Sequence, residues 1–280
     1  MRTIDASTIA DTIRYLCQSA NTVLPKDVLH ALEQARFRET SPIGQLTLTK
    51  ILENADYAAT SGVALCQDGG VTVVFADIGQ DVRIQGGLLE EAIHEGVRQG
   101  YQKSFLRGSM LDRPFNGKNT EDNTPAVIHM RIVSGDRLTL IVLPKGGGAD
   151  NGSQLRIFTP AEGLVAIHEF VLDTIIRAGP GSCPPLIVGV GIGGSFDSVA
   201  VLAKRALLRD IGTVPSDSFV AELERKWRDD INALGIGPQG YGGVTTALAV
   251  HIETRARHIA SIPVAVNLQC HSARKGCAVL

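Results

Sequence analysis

Three of the five cysteines in this chain stand in polar, glycine-rich surroundings, each where a strand should give way to a loop. They are Cys66 in Leu65-Cys66-Gln67-Asp68-Gly69-Gly70, Cys183 in Ser182-Cys183-Pro184-Pro185, and Cys270 in Asn267-Leu268-Gln269-Cys270-His271. Their separations are too long for a zinc ribbon or a ferredoxin run. Thiolates on loops at strand ends can still converge on one point in a folded domain, and this limits the topologies open to the chain. Three soft ligands without an obvious fourth point to a cubane iron–sulfur cluster with one iron left open. An open iron is a Lewis acid, so the first functional expectation is a hydro-lyase rather than an electron carrier.

With 280 residues the chain can bury a large core, as one domain over 1–280 or as two lobes, and no linker marks a boundary. A net charge of −2 with no basic stretch argues against nucleic acid as a partner. The N-terminus has no apolar signal-peptide core, and runs such as Leu186–Val190 are far too short to span a bilayer. The odd cysteine count and the absence of secretion signals predict reduced thiols in the cytoplasm and no membrane partner. Cys277-Ala278-Val279-Leu280 matches a prenylation box formally, but so short a pattern is read as coincidence. Cys17 falls on an apolar helical stripe with Ile9, Ile13 and Leu16 and is read as a core residue.

Apolar spacing predicts helices through the first fifty-five residues, short β-branched strands between Val71 and Ile84, and a helix from Leu88 to Gln102. Residues 107–125 are polar and turn-rich. Strands are expected at Ala126–Val133 and Leu138–Leu143. Thr159-Pro160-Ala161-Glu162 reads as a helix start with a capping box, and that helix should stop at Gly179-Pro180. A buried strand at Leu186–Val190, a helix at Ser195–Leu208 and a helical stripe from Phe219 to Leu234 follow. A last helix is then expected before a strand at Pro263–Leu268. The fold class is therefore mixed α/β, a helical N-terminal part plus α/β lobes enclosing a cluster-binding cleft.

Two glycine runs invite nucleotide readings. Gly189-Val190-Gly191-Ile192-Gly193-Gly194 contains G-x-G-x-x-G between a strand and a helix, and so allows a nicotinamide oxidoreductase. That reading needs a second strand ending in an acid about 20 residues on. Asp210 has the offset, but the residues before it continue a helix, so glycines for close backbone approach fit better. Lys145-Gly146-Gly147-Gly148 is no Walker loop, because the lysine comes first; its N–H groups and Lys145 could instead face an anion. Asp68 would stand near any cluster bound by Cys66 and could transfer protons. His258 and His271 flank the last cysteine segment.

Taken together these segments resemble the iron–sulfur-dependent (class I) fumarate hydratases and the related tartrate dehydratases, in their α subunit. The carriers are Cys66-Gln67-Asp68, Lys118-Asn119-Thr120 with Asp122-Asn123-Thr124-Pro125-Ala126, Pro144 to Gly148, Cys183 to Gly194, Gly235 to Gly240, His251-Ile252-Glu253 and Asn267 to Cys270. The resemblance implies a [4Fe-4S] cluster on Cys66, Cys183 and Cys270, with the open iron binding substrate oxygens. It implies substrate contacts from Gln67, Arg107, Lys145 and the Gly147 backbone, and an acid-side pair of Asp68 and His258. Two departures stand out: Gly69 where the family usually has Thr, and His271 where it tends to have Trp.

Single-chain members continue into a second region that supplies the catalytic base, whereas this chain ends at Leu280. The expectation is an α subunit needing a separate β subunit, as an α2β2 assembly. The Lys145 loop favours fumarate hydration to (S)-malate, with L-tartrate or a mesaconate-type C4 dicarboxylate as the alternative substrate. A cluster-bearing sensor without activity is the reading from another class.

Overall fold

The computed structural model describes residues 2–280, which divide into two compact units. One comprises residues up to 25, 54–147 and 274–280; the other comprises 26–53 and 148–273. The element order is β1 (Arg2–Asp5), α1 (Ala6–Thr22), α2 (Lys26–Arg38), α3 (Pro42–Ser61), β2 (Val71–Gly79), β3 (Val82–Gln85), α4 (Leu89–Lys103), β4 (Val127–Val133) and β5 (Leu138–Lys145). There follow α5 (Gly147–Asp150), β6 (Gln154–Phe158), α6 (Gly163–Ala178), β7 (Leu186–Gly194), α7 (Phe196–Ala206), α8 (Ser218–Ala233), β8 (Ala247–Arg257), β9 (Ile262–Gln269) and β10 (Gly276–Val279). The expected mixed α/β class is what forms. Among the described residues no helix is long and apolar enough to cross a membrane.

In the first unit the sheet order is β10-β5-β2-β4, with β2 parallel to β4 and antiparallel to β5. Its core joins Ile9, Ile13, Leu16 and Cys17 of α1 to Ile93, Val97 and Tyr101 of α4 and to Val74, Leu140 and Val142 of the sheet. Gly96 and Gly100 let α4 lie directly on α1: a Cβ at Gly96 would stand 2.5 Å from the Ala10 carbonyl, and one at Gly100 would stand 2.6 Å from Cys17 Cβ. Burial alone pushes the Cys17 thiol up to about 12, consistent with its reading as a core residue. The C-terminal Cys277-Ala278-Val279 pairs antiparallel with β5 as strand β10.

In the second unit the sheet order is β6-β9-β7-β8, with β7 and β8 parallel and joined through α7 and α8. Valines and leucines of β7, β8 and β9 pack beneath Val171 and Ile175 of α6 and Trp227 and Ile231 of α8. Close approach of α7 to β7 depends on glycine: a Cβ at Gly189 would stand 2.3 Å from the Ala203 carbonyl, and one at Gly191 would stand 2.6 Å from that of Val199.

Three local expectations change. The stretch before Pro263, expected to be a helix, is strand β8. Its first six residues are all buried, and a strand covered on both faces shows no alternation to read. The helix after Thr159 begins only at Gly163; the Glu162 carboxylate accepts the Thr159 N–H (2.7 Å), the half of the expected capping box that forms, while the Thr159 hydroxyl donates to the same carboxylate (2.9 Å). Phe219 is 58% exposed, and Val220 takes its place on the buried face of α8.

Candidate active site

The Cys66-Gln67-Asp68 loop runs from α3 to β2 in the first unit, and its ends are tied down. The Leu65 N–H donates to the Asn21 carbonyl (2.8 Å), and the Leu65 carbonyl accepts from the Asn54 amide (3.0 Å). The Asp68 N–H points at Cys66 Sγ (3.5 Å), the contact a thiolate would strengthen. The Cys66 thiol in turn lies 3.6 Å from Gln67 Oε1.

The Asp68 carboxylate collects donors. Oδ1 accepts the Gly70 N–H (2.8 Å) and the Ser109 hydroxyl (3.2 Å), and Oδ2 accepts the Gly147 N–H (2.8 Å). Burial pushes this carboxyl up; the Gly147 and Gly70 amides, the Ser109 hydroxyl and the Arg274 charge outweigh it and hold it below the usual carboxylate range. The anion that the Lys145-to-Gly148 run was expected to face is, in this structure, the protein's own Asp68. Lys145 is 1% exposed, and its backbone packs on Gly70, where a Cβ would stand 2.8 Å from the Lys145 carbonyl carbon.

Arg107 is exposed, and its backbone reaches the loop: a Cβ at Gly69 would stand 1.9 Å from the Arg107 carbonyl oxygen. The missing threonine at this position is therefore a packing requirement of the chain. Behind the loop, the Tyr101 hydroxyl donates to the Gly69 carbonyl (2.7 Å) and the Asn123 amide donates to the Gly70 carbonyl (3.0 Å). Arg274 Nη1 donates to the Asp68 carbonyl (2.6 Å) and to Asn21 Oδ1 (2.8 Å).

In the second unit Cys183 follows a single 3-10 turn, Gly179–Ser182, and adopts a left-handed conformation (φ 55°, ψ 62°). Such a backbone costs on the order of 1–3 kcal/mol and is tolerated where the surroundings demand it. Here the demand comes from His271. Its N–H donates to the Cys183 carbonyl (3.3 Å), and its Nδ1 lies 3.1 Å from that oxygen and 2.9 Å from Gln239 Nε2. The segment after Cys270 is thereby fixed to Cys183. Burial pushes the His271 imidazole below its ordinary range, with the Cys183 carbonyl only partly opposing it, so the ring is neutral at pH 7. His258 lies on the exposed turn after β8. Its Nδ1 accepts the Ala260 N–H (3.2 Å), which leaves the proton of the neutral ring on Nε2.

The structure thus gathers Gln67, Asp68, Arg107, Lys145 and Gly147 around the Cys66 loop, and it pairs the Cys183 and Cys270 segments. Among the described residues no three or more His, Cys, Asp or Glu side chains stand together as a ready metal site. The donor chemistry nonetheless fits a thiolate-bound cluster. Cys66, Cys183 and Cys270 are partly exposed at loop ends, whereas Cys17 is sealed in the core. Sequence reasoning missed Arg274, Asn21, Tyr101 and Ser109. The one signal available was a cationic residue in the short segment following Cys270.

A family model described as fumarate hydratase (Fumerase) matches residues 10–279. Among curated relatives, a provisionally named L(+)-tartrate dehydratase subunit alpha of Methanocaldococcus jannaschii is 40% identical over 273 residues, covering 95% of each chain. The L(+)-tartrate dehydratase subunits alpha of Escherichia coli strain K12 and of Shigella sonnei are each 34% identical over 259 residues, covering 91% of this chain and 85% of theirs.

Proposed function

Because the chain belongs to the fumarate hydratase (Fumerase) family, a family of hydro-lyases, we propose that it is the cluster-bearing α subunit of a two-component dehydratase acting on a C4 dicarboxylate, with L-tartrate as first choice of substrate. The observation that carries the reading is the Asp68 carboxylate, held ionised by four groups one residue beyond Gln67 and two beyond a cysteine thiol. The tartrate preference and the need for a β subunit rest on the names of the relatives.

Cys66, Cys183 and Cys270 would hold the [4Fe-4S] cluster. When bound, an open iron supplies a Lewis acid that polarises the hydroxyl being lost or gained. The remaining work belongs to the chain's own groups. Dehydration breaks a C–O bond, the hydroxyl leaving with that electron pair, and the adjacent C–H pair becomes the double bond while its proton passes to a base. Asp68, ionised at rest, is a proton acceptor on the hydroxyl side. In hydration it takes the proton of the water that adds. In dehydration it must first take up a proton, and the proposed source is an imidazolium at His258, which gives up its second ring proton and returns to the neutral ring. Gln67 supplies an amide and Arg107 an exposed cation for the substrate carboxylates, where charge builds in the transition state.

A second reading, fumarate hydratase, keeps support from the lysine of the Lys145-to-Gly148 run. Anaerobic reconstitution with the β partner, followed by kcat/KM on L-tartrate, (S)-malate, fumarate and mesaconate, separates the two. A tenfold or larger preference for L-tartrate is expected. A preference for fumarate and malate would move the assignment to the other substrate pair, and turnover of none of the four would overturn the dehydratase proposal.

A further inference from the structure

Arg274 is a charged side chain only 1% exposed, in a segment that no sequence pattern singled out. A guanidinium taken out of water is costly unless its donors are satisfied. Nη1 is satisfied by the Asp68 main-chain carbonyl and by Asn21 Oδ1, yet the buried Nε has no acceptor. A structural ion pair would saturate its donors, and this arginine does not. Its reach also extends to the glycine run, since a Cβ at Gly146 would stand 3.4 Å from Arg274 Nη2 and 3.3 Å from Asp68 Oδ2. One guanidinium therefore meets the Cys66–Asp68 loop, the end of α1 through Asn21, and the start of the Gly146–Gly147 segment that donates to Asp68.

We propose that Arg274 is a positioning residue for Asp68: it holds the loop's carbonyl on one side and stands beside the carboxylate's second anchor on the other, so that the carboxylate faces the reacting oxygen in one fixed pose. The inference rests on the dehydratase reading for its catalytic consequence, but its geometry can be tested without turnover. Lysine keeps the charge and loses the planar fork that reaches two acceptors at once, whereas glutamine loses the charge as well.

The test uses the full chain carrying Arg274→Lys or Arg274→Gln, beside the parent, in two measurements. Amide hydrogen exchange is read at Gly70 and Gly147, the two N–H groups that Asp68 accepts, and at strands β2 and β7 as reference. Exchange at Gly70 and Gly147 should rise at least tenfold in Arg274→Lys while the strands stay within twofold of the parent. Unchanged exchange at both glycines, or an equal rise throughout β2, overturns the positioning role. The other measurement is steady-state kinetics of the reconstituted complex with the β partner. Arg274→Gln should lose about a hundredfold in kcat with KM within threefold, and Arg274→Lys should recover about tenfold of that loss. Loss confined to KM, or full activity in Arg274→Gln, also overturns it. If the parent turns over no C4 diacid, the dehydratase reading has failed and the exchange measurement still decides the inference. If Arg274→Gln does not fold, Arg274→Lys decides it alone.

Discussion

Gly146–Gly148 carries strand β5 into the short helix α5, whereas Gly189–Gly194 forms the last six residues of strand β7 ahead of α7, and only the second contains a nucleotide-binding pattern. In the structure Gly146–Gly148 gives its Gly147 N–H to a carboxylate beside a cysteine, and Cβ atoms at Gly146 and Gly147 would meet nothing nearer than 3.3 Å. Gly189–Gly194 gives its space to packing: α7 lies on Gly189 and Gly191, and a Cβ at Gly193 (φ +98°) would stand 2.0 Å from the Arg255 carbonyl. The lesson concerns what glycine is for. Absence of a side chain serves chemistry where an N–H must face a charge, and it serves the core where backbones must touch. Only the surroundings distinguish the two uses.

The largest expected effect tests the chemical side. Asp68→Asn keeps the shape and removes the negative charge, so activity of the reconstituted complex should fall about a thousandfold, the middle of the range for a lost acid–base group. Its unfolding midpoint should move little, because the loop retains its other bonds. A fall of less than tenfold would remove Asp68 from the proton path. Next in size, Gly189→Ala should lower stability by about 3 kcal/mol, the upper end for overpacking, since the new atom meets backbone rather than a flexible side chain. Urea midpoints check this, and a neutral result would break the packing account of Gly189–Gly194.

A pH dependence sharpens the contrast from behind the Gly146–Gly148 run. Tyr101, which holds the Gly69 carbonyl, is pushed up to about 12 chiefly by burial, with buried Cys17 adding to it. The Cys17 thiol is likewise pushed from 9.0 to about 12. Both groups are neutral when folded and ionise sooner when unfolded. Their share of stability is therefore intact below pH 9 and declines as the pH climbs from there towards 12. Cys17→Ala should move the onset of this loss up by about one pH unit, towards the 10.0 of an ordinary tyrosine; denaturant midpoints between pH 8 and pH 11 would show it. Smallest of all, Gly147→Ala should change stability by less than about 1 kcal/mol, the ordinary span of a Gly-to-Ala exchange. It keeps the N–H, and its Cβ would meet Asp68 Oδ2 at a comfortable 3.8 Å. Strong destabilisation here would make the two runs alike after all.

How far the sequence reveals this molecule depends on how local each signal is. Helices α1, α6 and α8 and strands β2, β5 and β9 carry their own periodicity or β-branched runs and are readable within a few residues. Strand β8 is not, because burial of its first six residues in succession erases the alternation that would mark a strand. Cys66, Asp68 and the glycine runs announce themselves through unusual neighbours. Arg274 does not, since its meaning lies in Asn21 and Asp68, each more than two hundred residues away in the chain. Gly69 is intermediate: its departure from the family pattern is visible in the sequence, but its cause, the Arg107 carbonyl, appears only in three dimensions.

The central claim is that chemistry belongs to the Cys66 loop and its two partner cysteines, not to the G-x-G-x-x-G run. The most direct measurement is iron and acid-labile sulfide per chain after anaerobic reconstitution, taken beside Cys66→Ala, Cys183→Ala and Cys270→Ala. About four of each in the parent, lost in all three variants, is the predicted result. Iron retained when Cys66 is replaced, or no iron in the parent, would contradict it.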